Sequence, residues 1–328
     1  MVNPTFCLPR SIRVKLNTGC QYRCKFCHQE GNGGALDVDP DEVVAALKIL
    51  KRELGFYRVH FTGGEPTLYE KFAELLTKVK EIGFTTALTT NGQFMMEKLP
   101  LLKKAGLDSV NFSLISLDPY AFLKLQDVSF DVKKGADWAK NCIEKTVQNI
   151  IIANKELPIK VNCVVSHDDF GPQKVLEFCI QNGVKIRFLN NLKAGQEAID
   201  NICKIIEKNN ARLIGHEITL LSSSHRLDYA IGSYTFGVKC IRDFFLKSIC
   251  GECQLRGTGE CLEGFYGIRL ENKPLMVRLC LNRSGAPYVQ SFKSFLDSEQ
   301  FREIKEDTAN ILKYLKKDSI IKEQENLD

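Results

Sequence analysis

Polar and apolar positions switch between two periods along the first 190 residues of the chain. Alternation near period two marks strands at Ile12–Leu16, Tyr57–Thr62, Thr85–Thr90, Ser109–Leu114, Ile159–Val165 and Lys185–Leu189. Helical spacing marks Pro40–Leu54, Tyr69–Ile82, Gln93–Ala105, Ala136–Asn154 and Pro172–Gln181, as with Val43, Val44, Leu47 and Leu50 in the first. Gly83, Gly106 and Gly183 stand at helix exits. Strands separated by helices predict an α/β fold with a parallel sheet and right-handed crossovers. Six of them make a partial (β/α)6 barrel, open where a full barrel would close, and their spacing fits a doubly wound sheet too.

The pattern is less legible from 193 to 247, where Ile199–Ile206 reads as a helix and Arg212–Leu221 as a strand. Beyond Ser291 the apolar positions Phe295, Phe301, Ile304, Ile311, Leu312 and Leu315 predict an amphipathic helix that frays toward Asp328. Three parts are expected: a core at 1–192, an extension at 193–290 and a helical tail at 291–328.

Composition changes this picture little. The 328 residues suit one large core, and a net charge of +5 accommodates an anionic substrate without predicting nucleic-acid binding. No basic segment followed by an apolar core opens the chain, and no apolar run reaches bilayer length. A cytoplasmic protein with no membrane partner is expected, its thirteen cysteines serving as metal ligands or free thiols. Of these, Cys142, Cys163, Cys179 and Cys203 fall in helix or strand patterns and are expected to be small buried side chains.

Candidate chemistry is concentrated in two motifs that follow strands. Cys20, Cys24 and Cys27 form C-x3-C-x2-C in one loop, followed by His28. Three thiolates ligate three irons of a [4Fe–4S] cube and leave the fourth open, whereas a complete cysteine site needs four. The plainer readings are a zinc site, completed by cysteines near residue 250, or unrelated buried thiols. The second motif is Phe61-Thr62-Gly63-Gly64-Glu65-Pro66-Thr67. Its glycines permit close backbone approach to a ligand, and its carboxylate can accept charge-assisted hydrogen bonds from an ammonium. In a barrel, chemistry sits at the C-terminal ends of the strands, where both motifs fall.

A further set, Cys250, Cys253, Cys261 and Cys280, is spaced C-x2-C-x7-C-x18-C. That spacing fits a complete [4Fe–4S] cluster and a structural zinc site equally.

The cysteine loop and the Gly-Gly-Glu-Pro turn together resemble the radical SAM superfamily. The layout from 11 to about 285 resembles its GTP cyclase family of molybdenum-cofactor biosynthesis. The resemblance implies a radical SAM partial barrel with a C-terminal auxiliary-cluster region. It implies a [4Fe–4S] cluster on Cys20, Cys24 and Cys27, with S-adenosylmethionine chelating the open iron. Gly63, Gly64 and Glu65 would hold the methionine amino group, and Phe26 would meet the adenine. Leu88-Thr89-Thr90-Asn91-Gly92 resembles the family's third strand end, with Thr90 in the cofactor set. Ser113, Asn162 and Leu192 match further SAM-contact positions. Arg13, Lys160 and Arg187 resemble substrate-contacting residues, the first two toward phosphate.

The family's auxiliary [4Fe–4S] cluster has three cysteine ligands and an open iron, for which Cys250, Cys253 and Cys280 match. Cys261 is additional here; as a ligand it would close that second cluster. The chain also departs from the family at His60, where an arginine is usual, and at Gln254-Leu255-Arg256-Gly257, which holds one arginine of an arginine-rich run.

The resemblance implies an enzyme that cleaves SAM reductively to a 5′-deoxyadenosyl radical, which takes hydrogen from a small molecule such as a nucleoside or nucleotide. No protein nucleophile is required, and a one-electron donor such as flavodoxin or ferredoxin is expected. A peptide-modifying radical SAM maturase and a non-enzymatic metal-binding or redox-sensing protein are the rival readings.

Overall fold

The computed structural model describes residues 2–27, 37–128, 131–166, 171–256, 258, 261 and 263–317, leaving aside the side chains of 132 and 314–317. His28 and the predicted end of the tail, 318–328, lie outside the described residues.

Among the described residues, thirteen strands form one sheet. In chain order they are β1 (Thr5–Cys7), β2 (Ser11–Lys15), β3 (Arg58–Thr62), β4 (Thr85–Thr90), β5 (Ser109–Ser113), β6 (Ile159–Val165) and β7 (Lys185–Asn190). They continue as β8 (Arg212–Thr219), β9 (Ser224–Ile231), β10 (Tyr234–Ile241), β11 (Arg269–Glu271), β12 (Met276–Arg278) and β13 (Val289–Ser291). Strands β2 to β7 are parallel neighbours in sequence order, the six expected from the alternating pattern. They curl into a half-barrel.

The helices are α1 (Pro40–Leu54), α2 (Phe72–Glu81), α3 (Met95–Lys104), α4 (Pro119–Lys124), α5 (Val132–Ala153), α6 (Gly171–Gln181), α7 (Gly195–Lys208), α8 (Lys247–Cys250), α9 (Phe292–Leu296) and α10 (Glu299–Lys317). The ends of α1 are chemically marked. Asp39 accepts from the Asp41 and Glu42 backbone N–H groups, Pro40 starts the first turn, and Gly55 closes the helix at φ 71°. A cap of this kind contributes about 1 kcal/mol. Val43, Leu47, Leu50 and Leu54 of α1 are buried. They join Ile12, Val14, Val59 and Phe61, the outward residues of β2 and β3, in one core. Strand side chains of opposite parity face the concave side and are polar, as period two requires.

Residues 193–290 extend both edges of this sheet rather than folding apart from it. Strand β10 pairs in parallel with β7, and the antiparallel β9 and β8 follow. At the other edge β11 pairs in parallel with β2, followed by β12 and β13. Sequence reading missed β9 and β10, although Tyr234–Ile241 alternates and the two-residue Gly232–Ser233 link is a hairpin signal. The three-residue strands β1 and β11 to β13 carry too short a pattern to read.

All thirteen cysteines are free thiols. Cys142, Cys163 and Cys179 are buried as expected, but Cys203 is exposed. It follows Ile202 on α7, whose buried face is Ala198, Ile202 and Ile205, so helical geometry turns it outward. No described helix is long and apolar enough to cross a membrane.

Candidate active site

The cysteine loop leaves β2 and is held by its neighbours on both sides. The Lys25 N–H donates to the Leu125 carbonyl and the Asp127 N–H to the Arg23 carbonyl. Nitrogen donors address two sulfurs: Gln126 Nε2 lies 3.4 Å from Cys24 Sγ, and the Tyr22 backbone N–H and Asn91 Nδ2 lie 3.4 and 3.9 Å from Cys20 Sγ. Burial pushes the Cys20 thiol up to about 11 and the Cys24 thiol up to about 12. Such thiols ionise when a positive centre binds them, with release of protons. Three thiols on one loop, with N–H groups directed at two of the sulfurs, have the donor chemistry of a thiolate-ligated iron–sulfur cluster. Among the described residues, no three His, Cys, Asp or Glu side chains are gathered so that they could hold a single metal ion.

The glycine turn packs directly under this loop. The Glu65 N–H donates to the Gly19 carbonyl at 2.7 Å and the Gly64 N–H to the Asn17 carbonyl at 3.1 Å. A Cβ at Gly64 would collide with the Gly19 backbone, so glycine is required there. The Asn17 amide donates to the Glu65 carbonyl, while its own Oδ1 is buried with no partner.

Glu65 is fully buried. Its Oε1 accepts from Thr67 N, Thr67 Oγ1 and Thr90 Oγ1, and its Oε2 accepts from Asn91 N. The carboxylate therefore ties the turn to the end of β4. Thr90 serves that tie and also accepts from Gly92 N–H. Burial raises the Glu65 carboxyl in spite of these four donors.

The remaining SAM-contact candidates surround the same strand ends. Phe26, like Cys20 and Cys24, packs against the small core of Tyr22, Ile115 and Phe122. Ser113 and Asn162 are register partners on β5 and β6. Leu192 opens a short turn whose Lys193 ammonium donates to the Lys25 carbonyl of the cysteine loop.

Below them the concave face gathers positive charge. Arg13, Lys160 and Arg187 project from β2, β6 and β7, and the structure adds Lys239 from β10. All four act on His60, which burial and these charges hold well below the ordinary histidine range. His60 is a neutral ring bonded to Thr89 Oγ1 at 2.6 Å, with Asn111 Nδ2 at 3.4 Å. Arg187 Nε donates to Asn162 Oδ1 at 3.1 Å.

Tyr266 stands among the cations, with Lys239 Nζ 3.8 Å and the Arg13 guanidinium 4.7 Å from its ring centroid. Arg269, beside Arg13 in register, pairs with buried Glu263 through Nη2. Its Nε and Nη1 are buried without a partner. Sequence analysis missed Lys239, Arg269 and Tyr266. The alternation of β10 puts Lys239 on the inner face, but nothing local marks Tyr266.

In the second cysteine set, Cys250 ends α8, and Cys253, Cys261 and Cys280 lie in loops. Burial pushes the Cys250 thiol up to about 11, and the charges of Cys261, Cys280 and Cys253 add to the shift. Cys261 thus lies within electrostatic reach of Cys250 and Cys280. Cys253 N–H donates to the Cys250 carbonyl at 3.3 Å.

A family model for the radical SAM superfamily matches residues 14–178. A probable GTP 3′,8-cyclase of Sulfolobus acidocaldarius is 37% identical over 159 residues, 47% of each chain, so the match spans about half of that relative. A probable GTP 3′,8-cyclase of Sulfurisphaera tokodaii is 26% identical over 255 residues, 74% of this chain and 75% of the relative. The solved structure of native anSMEcpe with bound AdoMet is similar at a TM-score of 0.49 and 18% identity, over 90% of this chain and 82% of that one.

Proposed function

The chain belongs to the radical SAM superfamily, and from that membership we propose that it acts on a small anionic substrate, nucleotide-like in character, held inside the half-barrel. It is an enzyme whose cofactors are SAM and a [4Fe–4S] cluster. When bound, they supply a 5′-deoxyadenosyl radical for hydrogen abstraction, chemistry that belongs to the cofactor and not to a side chain.

The residues divide the remaining work. Cys20, Cys24 and Cys27 are the cluster ligands. Phe26, Ser113, Asn162 and Leu192 border SAM, while Gly63, Gly64, Glu65 and Thr90 shape the turn that receives its amino acid end. Cys250, Cys253, Cys261 and Cys280 hold a second [4Fe–4S] cluster. A flavodoxin or ferredoxin supplies the electron, and a reducing cytoplasm suits a chain whose cysteines serve as cluster ligands.

One observation carries the substrate reading: Arg13, Lys160, Arg187 and Lys239 converge on the inner face around a neutral His60. Half-buried cations gathered in this way serve an anion. The relatives named probable GTP 3′,8-cyclase support a nucleotide. His60 and Tyr266 in the cage favour one other than GTP.

The test is product analysis on anoxically reconstituted, dithionite-reduced chain supplied with SAM. 5′-Deoxyadenosine should form, and should vanish in the Cys20/Cys24/Cys27→Ala variant. Phosphorylated nucleosides should accelerate its formation, and Lys160→Met or Arg187→Met should blunt that acceleration. A fully loaded chain that makes no 5′-deoxyadenosine overturns the proposal; acceleration that survives both substitutions overturns the assignment of the cage.

A further inference from the structure

Tyr266 lies outside the proposed cofactor-binding set, yet it is the meeting point of the cage. Its carbonyl accepts from Ser222 Oγ at 2.8 Å, which fixes the backbone ahead of β11. Three cations from three strands surround its ring: Lys239 at 3.8 Å, Arg13 at 4.7 Å and Arg269 at 5.4 Å from the centroid. Arg13 Nη2 also lies 3.5 Å from its hydroxyl oxygen. Aromatic faces attract cations, more strongly when water is excluded. The phenol thus lies where a substrate's anionic group would seek the same cations.

We propose that Tyr266 is the specificity residue of the cage: its oxygen acts as a built-in anion among Arg13, Lys239 and Arg187, and an arriving substrate anion takes over those cations while that oxygen accepts a proton from solvent. The substrate class follows. A cage already partly neutralised from within favours an anion of low charge, a monophosphate or carboxylate, over a triphosphate. This rests on the reading of the half-barrel interior as the substrate site.

The surrounding charges support the exchange. Burial opposes ionisation of the Tyr266 hydroxyl, yet Lys239, Arg13 and Arg187 hold it well below the ordinary phenol range. An anion that occupies the cations lets that value rise. Between the two values, binding takes up a proton, and affinity falls as pH rises.

The facing groups are Arg13 on β2, His60 on β3, Lys160 on β6, Arg187 on β7, Lys239 on β10 and Arg269 on β11. Arg269 is paired with Glu263, and Arg226 on β9 is paired with Glu217 and Asp228. Of these, neutral His60 is the rival proton acceptor.

Calorimetric titration of the reconstituted chain decides between them, with sulfate as probe because it does not titrate near neutrality. Two buffers of different ionisation enthalpy count the protons. Wild type should take up protons on binding sulfate in the pH range between the free and the bound values, and fewer below that range. Tyr266→Phe should bind sulfate about fivefold to tenfold more tightly, with no uptake, because a competing charge is gone. Its gain for tripolyphosphate should be larger still. A phenolate ultraviolet band should fade when sulfate is added to wild type, a readout independent of any variant.

Arg187→Met should weaken sulfate binding in both backgrounds. If it does so while Tyr266→Phe changes neither affinity nor proton count, Tyr266 is only structural and the proposal falls. If proton uptake persists in Tyr266→Phe and disappears in His60→Gln, His60 is the acceptor and the proposal also falls. If neither Arg187→Met nor Lys160→Met affects sulfate, the interior is not the anion site, and the substrate reading falls with it.

Discussion

At the scale of single residues, Glu65 shows how a motif residue recognised for a ligand is first committed to the fold. Four donors converge on its buried carboxylate. Glu65→Gln keeps the shape but turns an N–H2 group toward one or more of those donors. It should cost about 1–3 kcal/mol of stability, read as a lower thermal midpoint. The pH dependence has a definite sign. Burial raises the carboxyl, so the folded chain binds this proton more tightly than the unfolded chain. The contribution to stability is full below the unfolded carboxylate range and is lost as pH rises through the folded value. Glu65→Gln should flatten that part of the stability–pH curve, measured by urea unfolding. The motif itself was legible in sequence; the enclosure of its carboxylate by Thr67, Thr90 and Asn91 was not, because Thr90 and Asn91 lie a strand and a helix away.

At the scale of elements, the β9–β10 hairpin extends the inner wall beyond six strands. Asp228 on β9 stands in register between Gly237 on β10 and Gly215 on β8. The two glycines differ in the room they leave. A Cβ at Gly237 would sit 3.5 Å from Asp228 Oδ1, an ordinary contact, whereas one at Gly215 would sit 3.0 Å from Oδ2 and 3.1 Å from the Asp228 Cβ. Gly237→Ala should therefore stabilise the chain by about 0.4–1 kcal/mol through the unfolded state. Gly215→Ala should lose that gain to crowding. The urea midpoints of the two variants check the contrast.

At the scale of the whole molecule, α10 caps the short helix that ends in Cys250. Leu246 provides no side-chain cap for α8, and Glu303 from α10 supplies one, accepting from Lys247 N and Ser248 N at 2.8 Å each. Lys305 on the same helix pairs with Glu53 of α1 at 2.6 Å, joining the tail to the core. Glu303→Ala should cost about 1–2 kcal/mol, and should speed loss of metal from the Cys250 site to a chelator without affecting the Cys20 site. Metal content should follow the same division. About eight irons per reconstituted chain should fall to about four in the Cys20/Cys24/Cys27→Ala variant. Four irons with tightly held zinc would instead make the second set structural.

Sequence alone determined the six parallel strands, their helices, the cysteine loop and the glycine turn, because each is written in a local period or a short spacing. Helix and strand periods reflect which side chains meet the core, and they survive without knowledge of partners. Tertiary structure decided what those elements enclose. Arg13, Lys160, Arg187 and Lys239 are far apart in sequence, and inward-facing lysine on a strand has the same local pattern as lysine facing solvent. Only the curl of the sheet, closed further by β10 at one edge and β11 at the other, brings them around His60 and Tyr266. The positive charge of the inner face is a property of that convergence, and no stretch of the chain contains it.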